Sequence, residues 1–270
     1  MLGLVELDVM DSEQVPLIQQ RIDILPVDQS SKVLGAAEII FECVPETLQA
    51  KEQAYGALNE FCSEDAILTS TTSSILVTDM ARFVKNPERF FNMHWLNPAY
   101  IIPVVEISYH HGTQKEAIAR VRSVVEAIGK LVVICGPAPG YIVPRLQALI
   151  MNEAARMVEE GVASAEEIDK ATRYGLGLRF AALGVLEFID FGGAEILQRA
   201  SHQMSESINQ NRYKAPAIIE DMVRDNKLGL KSGEGFYKYE ESEVKDYQRD
   251  VLDRTLSMLR HVSSTGQLKL

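Results

Sequence analysis

His94 and Glu106 are the pair in this chain whose chemistry suits proton transfer near neutral pH. An imidazole titrates where a general base must. A carboxylate beside it can fix its tautomer and stabilise the imidazolium. The histidine lies in Asn92-Met93-His94-Trp95-Leu96-Asn97-Pro98, and the carboxylate follows the apolar run Ile101-Ile102-Pro103-Val104-Val105. That spacing puts one at the end of a strand and the other on the next strand. On chemistry alone the pair also fits a satisfied core or surface histidine beside Trp95. Upstream, Ser70-Thr71-Thr72-Ser73-Ser74 follows the apolar run Ala66-Ile67-Leu68. Hydroxyl residues at the C-terminal end of a buried strand suit the crevice where open α/β sheets bind ligands.

Positioning these residues takes strands alternating with helices. Asp11-Ser12 reads as an N-cap before a short helix from Glu13 to Arg21, with Pro16 in its first turn. Arg21 to Leu25 reads alternatively as a strand. Asp28 to Gly35 carries a helical turn into a strand over 38–44. Thr47 to Cys62 is an amphipathic helix, because Leu48, Lys51, Tyr55, Leu58 and Phe61 recur at helical spacing. Strands are expected over 66–70, 90–95, 104–109 and 131–135, and helices over 77–84 and 114–128. Such alternation implies a mainly parallel sheet.

Gly136-Pro137-Ala138-Pro139-Gly140 breaks this pattern and marks a domain boundary. Only helical patterns follow. They cover 142–161, a helix opened by the capping-box signature Ser164-Ala165-Glu166-Glu167, an apolar stretch over 180–191 expected to be buried, and helices over 194–208 and 217–226. From Glu241 the chain is strongly charged, helical at best, with disordered last residues expected. The reading is an α/β domain over 1–136, an all-helical domain over 137–245 and a charged tail over 246–270.

Composition excludes several classes. The chain has 270 residues and a net charge of -11, which argues against a nucleic-acid backbone as partner. A local basic pocket could still hold a small anion. Cys43, Cys62 and Cys135 form neither a metal-ligand spacing nor a redox motif, so a reducing compartment and no metal are expected. No run approaches the ~18 apolar residues that span a bilayer. The first residues lack the basic start and apolar core of a secretory signal. The expectation is a soluble, cytoplasmic protein acting on a small molecule.

The ordered set Glu46-(x)4-Lys51, Thr72-Ser73-Ser74, His94-x-x-Asn97-Pro98 and Glu106 resembles the 3-hydroxyacyl-CoA dehydrogenase family. Pro139-Gly140-Tyr141-Ile142-Val143, Asn152-Glu153-Ala154, Glu159-Glu160-Gly161, Ile168-Asp169 and Lys231-Ser232-Gly233-Glu234-Gly235-Phe236-Tyr237 continue it. The resemblance covers residues 35 to 240. It implies a Rossmann-like domain joined to an all-helical one that dimerises, NAD as cofactor, and a role in fatty acid metabolism. It implies His94 as general base, Glu106 as its orienting carboxylate, and Ser73 touching both substrate and cofactor. It puts Glu46, Lys51, Asn97 and Lys231 on NAD. Each has a plainer reading: Glu46 an acid complementing a helix dipole, Lys51 a surface lysine, Asn97 a turn before proline, Lys231 a turn lysine. The other histidines, His110, His111, His202 and His261, are expected to be solvated.

Family members open with a G-x-G-x-x-G turn that takes the pyrophosphate on backbone N–H groups. This sequence has no such turn near its start. Gly175-x-Gly177 and Gly233-x-Gly235 read as helix-end and turn glycines. The expectation is therefore a Rossmann-like domain without its opening unit, from a truncated gene model, a short form that binds NAD poorly, or a chain completed by a partner. The strand over 38–44 would then have a bare edge.

Two further departures concern the substrate. The family has an asparagine where this chain has Pro144, which offers no donor. Acyl-CoA enzymes tend to carry a basic residue near Ile102-Pro103. The segments Asn97–Pro103 and Gly177-Leu178-Arg179-Phe180-Ala181 look more like the L-gulonate 3-dehydrogenase and lambda-crystallin branch, which acts on free hydroxy acids. Arg179 would pair there with a carboxylate, or is a helix-end arginine. The leading expectation is oxidation of an L-3-hydroxyacyl-CoA to the 3-keto form. The alternatives are a dehydrogenase of a free 3-hydroxy acid and a catalytically silent, dimerising homologue.

Overall fold

The computed structural model describes residues 2–264. Three short helices come first: α1 (Leu2–Glu6), α2 (Gln14–Gln19) and α3 (Ser31–Ala36). The alternating segment forms β1 (Ile39–Glu42), α4 (Leu48–Phe61), β2 (Ile67–Ser70), α5 (Val77–Ala81), β3 (Phe90–Trp95), β4 (Val104–Ser108), α6 (Lys115–Ala127) and β5 (Leu131–Cys135). The strands make one sheet in the order β1-β2-β3-β4-β5. Every neighbouring pair is parallel except β3 and β4. Only residues 96–103 join those two, too short a link for the crossover a parallel pair needs. The α/β, mainly parallel architecture read from the sequence holds.

Alternation along each strand fills two cores. Ile67, Phe91, Met93, Val105 and Ile107 meet Ile118, Val121 and Val125 of α6 on one face. Ile40, Leu68 and Phe90 meet Tyr55 of α4 and Val77 and Met80 of α5 on the other. Each such apolar side chain, fully buried, contributes about 1.5–3 kcal/mol. Residues 21–25 form no strand. Ile22 and Ile24 are 55% and 92% exposed, so the apolar residues there have no face to bury.

Contacts gather the chain into two compact units, one ending at Glu153 and the other starting at Ala154. The division falls inside α7 (Val143–Glu159), beyond the Gly136–Gly140 segment. The residues that open α7 bond to the sheet, as described below, and this keeps the start of the helix in the first unit.

The second unit contains α8 (Ala165–Ala171), α9 (Leu178–Ala182), α10 (Val185–Gly192), α11 (Ala194–Ser207), α12 (Gln210–Tyr213), α13 (Ala217–Arg224) and α14 (Val244–Ser264). Ser164 caps α8, its Oγ accepting from the Glu167 N–H at 3.3 Å. A π-helical segment, Thr172–Gly177, runs between α8 and α9, so Gly175 and Gly177 lie within helix rather than at its end. Ala194, Ala215, Ile219 and Met222 form the core.

Two expectations change here. The stretch 180–191 is not one buried helix: it breaks between α9 and α10, and Val185 and Leu186 are 40% and 45% exposed. The fully buried residue of α10 is Asp190, whose carboxylate accepts from the N–H groups of Phe236 and Tyr237 at 3.0 and 2.9 Å and from the Tyr239 hydroxyl at 3.1 Å. A buried carboxylate is retained because these donors satisfy it. The charged tail is a well-formed helix, α14, packed on α9; the last residues, 265–270, lie outside the described ones. Among the described residues no helix is long and apolar enough to cross a membrane, and no cluster of three or more His, Cys, Asp or Glu could hold a metal.

Candidate active site

The antiparallel turn-back of β4 on β3 makes His94 and Glu106 direct cross-strand neighbours. Their side chains therefore share one face. His94 Nδ1 lies 2.9 Å from Glu106 Oε2, with both residues buried. A carboxylate has only acceptors, so Nδ1 carries the proton of the neutral ring and Nε2 is left with a lone pair. Nε2 makes no hydrogen bond among the described residues. The other carboxylate oxygen, Oε1, accepts from the N–H groups of Ile142 and Val143 at 2.9 and 2.8 Å. These are unpaired donors at the start of α7, a natural seat for an anion. Burial pushes the Glu106 carboxyl up, but His94 and the two N–H groups outweigh it and hold the group below its ordinary value. Pro144 is the second residue of α7, where its missing N–H is no loss.

Register extends this face across the sheet. Glu42, Ser70, Asn92, Ser108 and Cys135 are successive cross-strand partners from β1 to β5, one polar row beside the His94–Glu106 pair. Its β1 end is closed. Glu42 accepts from Lys51 Nζ at 2.9 and 3.1 Å, the Tyr55 hydroxyl at 2.8 Å, the Ser70 hydroxyl at 2.7 Å and the Val44 N–H at 2.7 Å. Lys51 is therefore no surface lysine: its side chain is 1% exposed. Its ammonium also lies 3.7 Å from Glu46 Oε2.

Glu46 and Ser73 are brought together. The Glu46 Oε1 atom accepts from the N–H groups of Ser73 and Ser74 at 3.0 Å each, from the Ser74 hydroxyl at 2.9 Å and from the Thr72 hydroxyl. Partial burial raises the Glu46 carboxyl, but these four donors prevail and lower it. The Ser73 side chain is exposed and its hydroxyl has no hydrogen-bond partner among the described residues. Asn97 is likewise exposed, in a loop held by Lys130, whose Nζ reaches the carbonyls of Ala99 and Ile102 at 2.6 and 2.9 Å. The loops carrying Glu46, Ser73 and Asn97 leave the C-terminal ends of three parallel strands, where such sheets bind ligands. The exposed Ser73 hydroxyl and Asn97 amide, with the Glu46 carboxylate beside them, suit the polar nicotinamide–ribose half of a dinucleotide.

The second unit holds the other two expected residues. Lys231 pairs with Glu195, and Arg179 lies over the Phe188 ring, 5.5 Å from its centroid. His110 departs from expectation. It is buried, with Nε2 2.8 Å from the Pro87 carbonyl and Nδ1 accepting from the Gly112 N–H at 3.1 Å.

Comparison with known proteins matches this arrangement to described domains. The family profile for the 3-hydroxyacyl-CoA dehydrogenase NAD binding domain matches residues 3–138, and that for the C-terminal domain matches residues 140–239. This chain belongs to the 3-hydroxyacyl-CoA dehydrogenase family. The expectation of a domain lacking its opening unit is corrected: the NAD binding domain is matched from residue 3, across α1 to α3.

Among relatives, a probable 3-hydroxybutyryl-CoA dehydrogenase of Bacillus subtilis is 30% identical over 83% of this chain and 77% of its own length. The 5-formyl-3-hydroxy-2-methylpyridine 4-carboxylate 5-dehydrogenase of Mesorhizobium japonicum is 29% identical over 86% and 75%. The solved structure of a 3-hydroxyacyl-CoA dehydrogenase from Archaeoglobus fulgidus has a TM-score of 0.75 at 26% identity, covering 94% of this chain and 88% of that one. The chain is thus an oxidoreductase of the NAD-dependent dehydrogenase class.

Sequence reasoning named Tyr55, Ser70, Asn92 and Tyr141 only within longer patterns and Glu42 only within a strand, and gave none of the five a role of its own. A polar residue closing β1 and β2, an asparagine inside the apolar run of β3, and Lys51-(x)3-Tyr55 on one helix face were signals of the first four.

Proposed function

We propose that this chain oxidises the 3-hydroxyl of an L-3-hydroxyacyl-CoA to the ketone, with NAD as hydride acceptor and His94 as general base. The observation that carries the reading is the His94–Glu106 pair, with Nδ1 committed to the carboxylate and Nε2 unengaged. Nε2 takes the hydroxyl proton as the C–O bond becomes C=O. Glu106 stabilises the imidazolium that forms and keeps the ring from turning. The Ser73 hydroxyl bonds the reacting oxygen and faces the cofactor. Glu46 and Asn97 hold the nicotinamide side, with Lys51 acting through Glu46; Lys231 is a further proposed cofactor contact. NAD, when bound, supplies the electron sink that receives the hydride from the carbinol carbon. The imidazolium then returns its proton to water.

Two facts favour a free 3-hydroxy acid as the second reading. Pro144 gives no side-chain amide to the substrate oxygen, and the Mesorhizobium japonicum relative is named for a pyridine carboxylate. Arg179 would then bind the carboxylate. Steady-state assays with NAD and matched substrates decide between them. Turnover of L-3-hydroxybutyryl-CoA far above that of free 3-hydroxybutyrate or L-gulonate is expected. Faster turnover of the free acids would transfer the assignment to the second reading, and no NADH from any of them would leave the silent homologue.

The second unit is proposed to pair with its copy in a homodimer. Val185, Leu186 and Ile196 are 40%, 45% and 51% exposed, more apolar surface than a small helical unit usually leaves to water.

A further inference from the structure

The proposed mechanism needs the His94 ring held in one plane, and Glu106 grips only one edge of it. Tyr141 covers the ring's face. The two rings are stacked, 4.9 Å between centroids and 6° from parallel. Tyr141 is 5% exposed, so its ring is fixed by its surroundings and not by solvent. Its hydroxyl donates to the Thr72 carbonyl at 2.7 Å and accepts from Asn92 Nδ2 at 3.1 Å. Burial raises this phenol, and the nearby carboxylates Glu46 and Glu106 add to that, so it stays protonated and keeps donating. Its backbone sits at φ 46°, a conformation that side chains other than glycine rarely adopt. The next two residues are Ile142 and Val143, whose N–H groups bind Glu106.

We propose that Tyr141 is a positioning residue for the general base, locking the imidazole plane and tying it to the turn that presents Ser73. One side chain thereby joins three parts. Its ring sets the tilt of His94. Its hydroxyl anchors the carbonyl of Thr72, one residue before Ser73. Its backbone turn delivers the N–H groups that hold the carboxylate partner. Strain at a buried non-glycine residue persists only where surrounding contacts over-determine it, and here those contacts run to His94, Asn92 and Thr72, with the next two N–H groups on Glu106. The inference rests on the role given to His94.

Tyr141→Phe and Tyr141→Leu in the full chain test it, with L-3-hydroxybutyryl-CoA and NAD as substrates. Phe keeps the stack and loses the hydroxyl bonds; Leu loses both. A mispositioned base lowers kcat without weakening binding, so Tyr141→Leu is expected to lose roughly 10²-fold in kcat, and Tyr141→Phe roughly tenfold, with KM little changed. An unchanged kcat in Tyr141→Leu, or a KM that rises with kcat intact, overturns the proposal. If Tyr141→Leu does not fold, Tyr141→Phe decides, and a kcat equal to the wild type's overturns it. A second readout needs no turnover. In ¹³C-relaxation NMR, the His94 ring should be rigid in the wild-type chain and more mobile in Tyr141→Leu. Unchanged ring order in Tyr141→Leu overturns the positioning role. If the wild type fails to oxidise the thioester, it is the function that falls, and the NMR still judges Tyr141.

Discussion

His94 has two ring nitrogens with separate duties, and the duties come from its neighbours. Glu106 takes Nδ1, and in the proposed mechanism this leaves Nε2 to meet a hydroxyl proton. Replacing His94 by alanine should lower kcat by roughly 10²–10⁴-fold and change KM little, because general-base help acts in the transition state. Steady-state kinetics check this; an unchanged kcat removes His94 from the mechanism. Glu106 also links the site to acid stability. Its carboxyl titrates below its ordinary value in the fold. Its contribution is therefore fully present above the unfolded-state value, and is lost as pH falls through the depressed folded value. Glu106→Gln should show a flatter fall of the thermal midpoint over that acid range than the wild type. Identical acid profiles would mean that Glu106 contributes nothing to the pH dependence.

At the scale of elements, α4 is attached to the sheet by charge as well as by apolar contact. Thr47 caps it, its hydroxyl accepting from the Ala50 N–H at 3.2 Å. Two turns of helix then deliver Lys51 and Tyr55, one turn apart, to Glu42 on β1. Lys51→Met leaves the buried Glu42 charge without its cation and should cost roughly 3–5 kcal/mol in denaturant unfolding. A cost under about 1 kcal/mol would place the pair among ordinary surface bridges. In the second unit, Asp190 anchors the loop that carries Lys231. A Cβ built on Gly235 would stand 2.2 Å from Asp190 Oδ1, and one on Gly229 would stand 2.2 Å from the Asp190 carbonyl oxygen, where φ is also 85°. Gly229→Ala should destabilise by roughly 2–4 kcal/mol, combining overpacking with backbone strain. A thermal midpoint equal to the wild type's would show that the loop can move aside.

For the molecule as a whole, sedimentation at micromolar concentration should show a dimer, and Leu186→Asp should shift it toward monomer if the exposed face of α10 is the contact. A monomeric wild type would remove the pairing proposal. Much of this protein was readable from its chain. Strands announced themselves by apolar runs of the right length, and β3 and β5 fall where the sequence put them, because a buried strand has little freedom in where it begins. The ordered set of motifs from Glu46 to Tyr237 was enough for the family. What periodicity could not show was which side chains meet across the sheet. Ser70 and Asn92 are distant in sequence, and only strand register sets them in one row with Glu42. Lys51 reads as a cofactor contact, with a surface lysine as the plainer alternative, and neither shows its burial, because its carboxylate partner Glu42 lies on another element. Asp190 was hidden in an apolar run, since the donors that make its burial tolerable come from residues 236–239. Local pattern determined the elements and the identity of the chemical groups. The satisfaction of buried charge, which depends on partners far along the chain, was decided by the tertiary structure alone.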